Sequence, residues 1–296
     1  MQDMMQAGDI AFPHLGIYLT NVPKGIYIGN FFIAFYGVII ALGMIGGLSL
    51  ANYESNRLGK PKDFWWEIAA PLMFLSVLGA RVYYVIFFWD YYGSHLNELL
   101  DIRGGGLAIY GGVIAGFLTI FIICRIRKLG YFEMMDTAVL GLLVGQIMGR
   151  WGNFTNREVF GGYTDNIFAM RLPLEAVRQR DVTDELMSHV TGQINYIQVH
   201  PTFFYEGGLN AILLLIMWCY RKHKKFKGEI CLMYLGGYGL IRYFVEGIRT
   251  DQLKIGHTNI AVSQMLGLIL FVGSLIAEVV VRAVILRKEK IEEKID

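Results

Sequence analysis

Charge is what this chain has least of. Only 18% of its 296 residues are Asp, Glu, Lys or Arg, against about 25% in an average soluble domain. The apolar share is 54%, above the usual about 45–50%, and mean hydropathy is +0.43. Both deviations run against a soluble globular domain. Cysteine is scarce as well. Cys124, Cys219 and Cys231 offer no disulfide framework, and none falls in the polar cluster that carries the chemistry below. No internal repeat, no low-complexity tract and no metal-spaced cluster of His, Cys, Asp or Glu is present. A net charge of +2 says little about partners, and no nucleic-acid partner is expected.

What the chain does have is long apolar runs. Seven blocks lie near the roughly 20 residues that cross a bilayer. They are Phe31–Leu50, Trp65–Trp89, Leu107–Cys124, Met135–Arg150, Thr202–Tyr220, Ile230–Ile248 and Ile260–Leu286. Basic residues gather in alternate connections. Arg57, Lys60 and Lys62 follow the first block, and Arg125, Arg127 and Lys128 the third. Arg221, Lys222, Lys224, Lys225 and Lys227 follow the fifth, and Arg287, Lys288 and Lys290 the seventh. The leader has only Lys24, and Trp89–Gly106 only Arg103. The positive-inside rule then predicts an all-α integral membrane protein of seven helices, N-terminus outside and C-terminus cytoplasmic. The cysteines fall at the cytoplasmic, reducing ends.

The expected organisation is one polytopic membrane domain over residues 1–296. Residues 1–30 lack the basic start and apolar core of a signal peptide, and are expected to form an external interfacial arm. Residues 151–201 are expected to form a small head between the fourth and fifth helices, with strand-like pieces at Phe168–Leu172 and Ile194–Val199. The charged stretch Glu175–Glu185 between them could be a short helix, and the head has few apolar residues for a core of its own. Gly141, Gly145 and Gly149 line one face of block four, and Gly112 and Gly116 one face of block three. Small residues so spaced permit close helix approach.

The richest stretch is GRWGNFTNREVFGG, Gly149–Gly162. It sets Arg150, Asn153, Asn156, Arg157 and Glu158 at the mouth of a span, where charge is costly. A polar helix cap is the plain explanation, but other segments send polar residues to the same level. Block six carries Tyr238, Arg242, Glu246 and Arg249 on one helical stripe. Block five begins HPTFFYE, with His200 and Glu206; block three brings Arg103 and Tyr110, and block one Tyr36. Arg242 and Glu246 alone would be a structural ion pair. Arg150, Arg242 and Arg249 with Glu158, Glu206 and Glu246 instead suit an anion gripped by guanidinium forks. A phospholipid headgroup is the anion most available there. Arg81, within block two, is a possible addition.

These residues carry a family resemblance. Gly149, Arg150, Gly152, Asn153, Phe154, Asn156, Glu158 and Gly161 resemble the signature of prolipoprotein diacylglyceryl transferases. His200, Pro201, Tyr205 and Glu206, the stripe Arg242–Glu246–Arg249, and Phe35–Gly37 resemble further motifs in the same order. The resemblance implies transfer of the diacylglyceryl group of phosphatidylglycerol to a lipobox cysteine thiol of a prolipoprotein, just after its signal peptide. A thioether forms and glycerol phosphate leaves, with no cofactor and no metal. It also implies a bacterial cytoplasmic membrane enzyme working toward the outer leaflet, where membrane lipids and prolipoprotein signal peptide meet.

Site roles follow from the same resemblance. Arg242, Tyr110 and Glu246 are expected to be catalytic. Arg150, Asn153, Asn156, Glu158, Gly161, Tyr36, Tyr238, Arg249, Glu206 and His200 are expected to bind the lipid. Many relatives carry a histidine where this chain has Tyr110, so the thiol base is open: Glu206, Glu246, His200, or a phosphate oxygen or water. A secondary transporter or flippase is the main rival. Transporters place coupling charges near the midplane on broken helices of repeated halves, whereas here the charges sit on one side and no repeat exists.

Overall fold

The computed structural model describes residues 4–102, 105–254, 258 and 260–292, with side chains to Lys288. Arg103, expected among the outer polar residues, lies outside the described residues, as does the Lys290 side chain. Each apolar block forms a helix: α1 Phe35–Arg57, α2 Phe64–Phe87, α3 Ile109–Ile126, α4 Tyr131–Asn156, α5 Thr202–Tyr220, α6 Glu229–Gly247 and α7 Val262–Glu292. Six of them, α6 excepted, are long and apolar enough to cross a membrane. α6 spans 19 residues but carries Glu229, Arg242 and Glu246. Bare apolar side chains such as Phe74, Ile109, Leu215 and Val279 stand outward along these helices, which a water-facing surface does not sustain over such length. The chain is a mostly helical, multi-pass membrane protein.

It is not all-α. Among the described residues six short strands occur: β1 Ile10–Phe12, β2 Ile17–Leu19, β3 Gly25–Ile28, β4 Phe31–Ala34, β5 Met170–Pro173 and β6 Tyr196–Val199. β3 and β4 form a hairpin that leads into α1. The other four make an antiparallel sheet in the order β2-β1-β5-β6. The arm therefore joins the head, Ala11 pairing with Arg171. The charged stretch of the head forms 3-10 turns at Leu174–Ala176 and Gln179–Asp181 and a short helix at Asp184–Ser188. The expected shortage of apolar residues is met by borrowing. Ile10 of the arm and Phe203 of α5 pack with Phe160, Met170, Leu172, Val177, Leu186, Ile197 and Val199 in one buried cluster.

The described residues fall into two compact units, Met1–Gly47 with Val139–Asp296, and Leu48–Ala138. In the first, a Cβ on Gly47 would stand 2.5 Å from the Gly141 carbonyl oxygen, so this crossing of α1 and α4 admits only glycine. In the second, α2 and α3 cross closely at Gly79 and Gly111. There Arg81 is buried and gives its guanidinium to the carbonyls of Glu98, Leu99, Gly105 and Gly106 at 2.6–3.2 Å. Arg81 thus ties a loop of its own unit with four of its five N–H donors.

Candidate active site

α4 continues one and a half turns beyond the apolar block, to Asn156. The extension matters because Arg150, Asn153 and Asn156, three apart, then share one helix face. The helix ends in a left-handed turn, with φ +56° at Arg157 and +60° at Val159. A β-branched residue in that region is strained, and such strain collects at functional sites. The turn sends two neighbours in opposite directions. Glu158 folds back and accepts from Asn153 Nδ2 at 3.0 Å and Asn156 Nδ2 at 3.3 Å. Arg157 turns away, is buried, and donates to the carbonyls of Gly8 and Val22 at 2.6 Å each. Despite its place in the polar run Gly149–Gly162, Arg157 anchors the arm and does not join the site.

Three backbones are joined just past this turn. Gly161 N–H donates to the His200 carbonyl at 3.0 Å, Gly162 N–H to the Ile248 carbonyl at 2.9 Å, and His200 N–H to the Gly162 carbonyl at 3.0 Å. A Cβ on Gly161 would lie 2.7 Å from the Ile248 oxygen and 2.8 Å from His200 Cβ. Only glycine lets the end of α4, the start of α5 and the end of α6 meet so closely. Their polar side chains are aligned as a result.

Glu206 is the centre of the arrangement. It is 1% exposed. Its Oε1 accepts from Arg150 Nη2 at 2.8 Å and its Oε2 from Arg242 Nη1 at 3.1 Å. The Tyr238 hydroxyl reaches the same carboxylate at 3.5 Å. Arg150 also donates to Asn153 Oδ1 at 3.3 Å, and Arg242 to Glu246. Arg249 lies 3.6 Å from Glu246 and grips Asp251 through two hydrogen bonds of 2.7 and 2.8 Å. One chain of hydrogen bonds and ion pairs therefore runs from Glu158 to Asp251. Each guanidinium has five N–H donors, so Arg150 and Arg242 keep donors for an incoming anion. Tyr36 covers the helix between Arg150 and Asn153, its ring 2.8 Å from where a Cβ on Gly152 would stand.

The His200 side chain is not part of this chain of hydrogen bonds. The His200 ring faces Tyr205 and Asn166, its Nδ1 3.4 Å from the Tyr205 hydroxyl. Burial pushes its pKa below the usual value, so the ring is neutral at pH 7. Tyr110 opens α3 in the other unit. Two members were missed by sequence reasoning. Asp251 follows Arg249 closely, a charged neighbour that could have been suspected. Arg178 comes from the head and donates to Glu158 Oε2 at 2.5 Å; nothing local in the sequence marks it. Burial opposes the charges of Arg249 and Asp251, but their double hydrogen bond prevails, holding Arg249 above and Asp251 below its usual pKa. Among the described residues no group of His, Cys, Asp and Glu is placed to hold a metal ion.

The site thus presents paired guanidinium groups, held by buried carboxylates, to an anion. Comparison with known proteins points the same way. Residues 23–280 match the prolipoprotein diacylglyceryl transferase family. Proteins called phosphatidylglycerol–prolipoprotein diacylglyceryl transferase are similar over most of the chain. One from Finegoldia magna is 37% identical across 87% of this chain and 95% of its own. One from Clostridioides difficile is 36% identical across 83% and 90%. One from Limosilactobacillus reuteri is 38% identical across 90% and 94%.

Proposed function

The chain belongs to the prolipoprotein diacylglyceryl transferase family, and from that premise we propose how its residues carry out the reaction. The protein is a transferase that moves the diacylglyceryl group of phosphatidylglycerol to a prolipoprotein, the first step of lipoprotein maturation. In the proposed mechanism the acceptor is the lipobox cysteine, just after the signal peptide. Its sulfur attacks the glycerol carbon that bears the phosphate ester. A C–S thioether bond forms, the C–O bond breaks, and glycerol phosphate leaves with the bonding pair.

Two tasks fall to the protein. The departing phosphate must be stabilised, which preorganised donors in a dry site do best. Arg150 holds the phosphate and Arg242 meets the charge that develops on the leaving oxygen. Glu206 and Glu246 fix the two forks, with Arg249 behind Glu246. Asn153, Asn156 and Glu158 position the headgroup glycerol, Gly161 shapes the junction, and Tyr36 and Tyr238 line the site. The second task is the thiol proton, since a cysteine of pKa about 8.5 is mostly protonated at pH 7. The carboxylates of Glu206 and Glu246 are already committed to arginines. The proton is therefore assigned to a phosphate oxygen or water, with Tyr110 orienting substrate through its hydroxyl and His200 acting as a neutral wall.

For topology we infer seven spans, with α6 as the sixth, an external N-terminus and a cytoplasmic C-terminus. Counting α6 puts the short connections densest in Lys and Arg on one side. The site then opens to the outer leaflet of the bacterial cytoplasmic membrane, within a single polytopic domain. The observation that carries the reading is one buried carboxylate shared by Arg150 and Arg242. Incubating the purified protein with phosphatidylglycerol and a precursor peptide tests it. Thioether-modified peptide with equimolar glycerol phosphate supports it, and equal labelling of a Cys→Ser peptide contradicts it.

A further inference from the structure

One helical turn further from the head than the Arg150–Glu206 bridge, buried polar atoms stand without partners. α4 runs toward the head and α5 away from it. The residue four before Arg150 and the residue four after Glu206 therefore fall at one level. These residues are Gln146 and Asn210. Asn210 is 0% exposed, and neither its Nδ2 nor its Oδ1 meets a partner. Gln146 donates through Nε2 to the Tyr234 hydroxyl at 2.8 Å, while its Oε1 is unmatched. Tyr234 lies one turn from Tyr238 on α6, the two rings stacked at 5.5 Å. So α4, α5 and α6 each add one polar side chain to a second layer beneath the guanidinium layer. Next to Gln146, a Cβ on Gly145 would meet nothing within 4 Å, which leaves room along α4.

Buried amides are hydrogen-bonded as a rule, and exceptions call for an explanation. The donors on offer are the two N–H groups of Asn210 and the hydroxyl hydrogen of Tyr234, which accepts from Gln146 and keeps its own proton. They suit carbonyl oxygens. The remaining acceptors, Gln146 Oε1 and Asn210 Oδ1, are of the kind a single water satisfies. Four residues along a helix advance about 6 Å. In a glycerophospholipid the two ester carbonyls follow the phosphate by a few bonds, a comparable distance toward the acyl chains.

We propose that Asn210 and Tyr234 form an ester subsite that holds the acyl carbonyls of the donor lipid and selects diacyl over dialkyl ether lipids. This rests on the phosphate being held by Arg150 and Arg242. The test compares transfer to a precursor peptide from phosphatidylglycerol and from its diether analogue, in proteoliposomes. The wild type is expected to favour the diester by about a hundredfold in kcat/KM, the scale of two buried hydrogen bonds. Asn210→Leu and Tyr234→Phe should each lower diester transfer about tenfold and leave diether transfer unchanged, and the double variant should erase the preference. Asn210→Leu should also match or exceed the wild type in Tm, because unmatched polar atoms are removed. A wild type that uses both donors equally overturns the subsite alone. So do variants that lose both activities in proportion. A wild type that transfers from neither donor removes the function itself, and the subsite with it.

Discussion

Arg242 and Glu206 meet at 3.1 Å, Nη1 of the arginine on Oε2 of the carboxylate. The other oxygen of Glu206 holds Arg150. Two guanidinium groups from different helices are thus fixed side by side, by a residue with 1% exposure. In the proposed reaction a phosphate entering between them would find donors that need no rearrangement, which is the condition for strong electrostatic stabilisation.

Glu206→Gln tests this relationship. The amide keeps the shape but leaves the part-buried Arg150 without its carboxylate and Arg242 with Glu246 alone, and breaking a buried pair costs about 3–5 kcal/mol. A clear drop in Tm in detergent is expected, with kcat/KM for transfer down about 10²–10³-fold. Unchanged activity would mean the arginines do not depend on their shared carboxylate.

Arg178→Ala separates binding from chemistry. Arg178 is more than half exposed, so its ion pair with Glu158 is worth only about 0–1 kcal/mol of stability. Yet Glu158 also holds Asn153 and Asn156, so Arg178 links the head to the face proposed to position the lipid. KM for phosphatidylglycerol should rise several-fold while kcat and Tm stay near wild type. A fall in kcat at constant KM would contradict the assignment.

Much of this was legible in the sequence, for physical reasons. Long apolar runs report the solvent around each segment, so every apolar block holds a helix, though ends such as Arg57 and Asn156 lie six to seven residues beyond their blocks. Arg242, Glu246 and Arg249 could be set on one stripe because helix spacing is local. The sheet could not be read so directly. β1 pairs with β5 from the far side of four helices, and no local pattern records a partner so distant. Arg150 and Arg157 look alike as arginines of one polar run. Only the left-handed turn at Arg157, φ +56°, sends the second to the arm's carbonyls. Asn153 and Asn156 read as the end of a span, but α4 continues through them and makes them a face.

Asp251 gives a pH dependence of known sign. Two hydrogen bonds from Arg249 outweigh burial and hold its carboxyl below the usual carboxylate range. A depressed acid stabilises the fold above its unfolded pKa of about 3.9, and that contribution fades as pH falls through the folded value. Asp251→Asn should lower Tm at pH 7 and flatten the acid limb, so that the two curves converge toward pH 3. Parallel curves from pH 3 to 7 would show that the carboxylate contributes nothing.

Tyr110→Phe bears on the thiol proton. If the hydroxyl orients substrate, the variant loses about tenfold in kcat/KM and its pH–rate profile keeps the wild-type shape. Wild-type kcat/KM in the variant would contradict that role.

The central claim is that Arg150 and Arg242 together hold the phosphate of the donor lipid. Its most direct measurement is the initial rate of glycerol phosphate release by Arg150→Ala and Arg242→Ala in membranes with matched protein levels. A loss of at least about 10²-fold in each is predicted. Release at the wild-type rate by either variant would contradict the account.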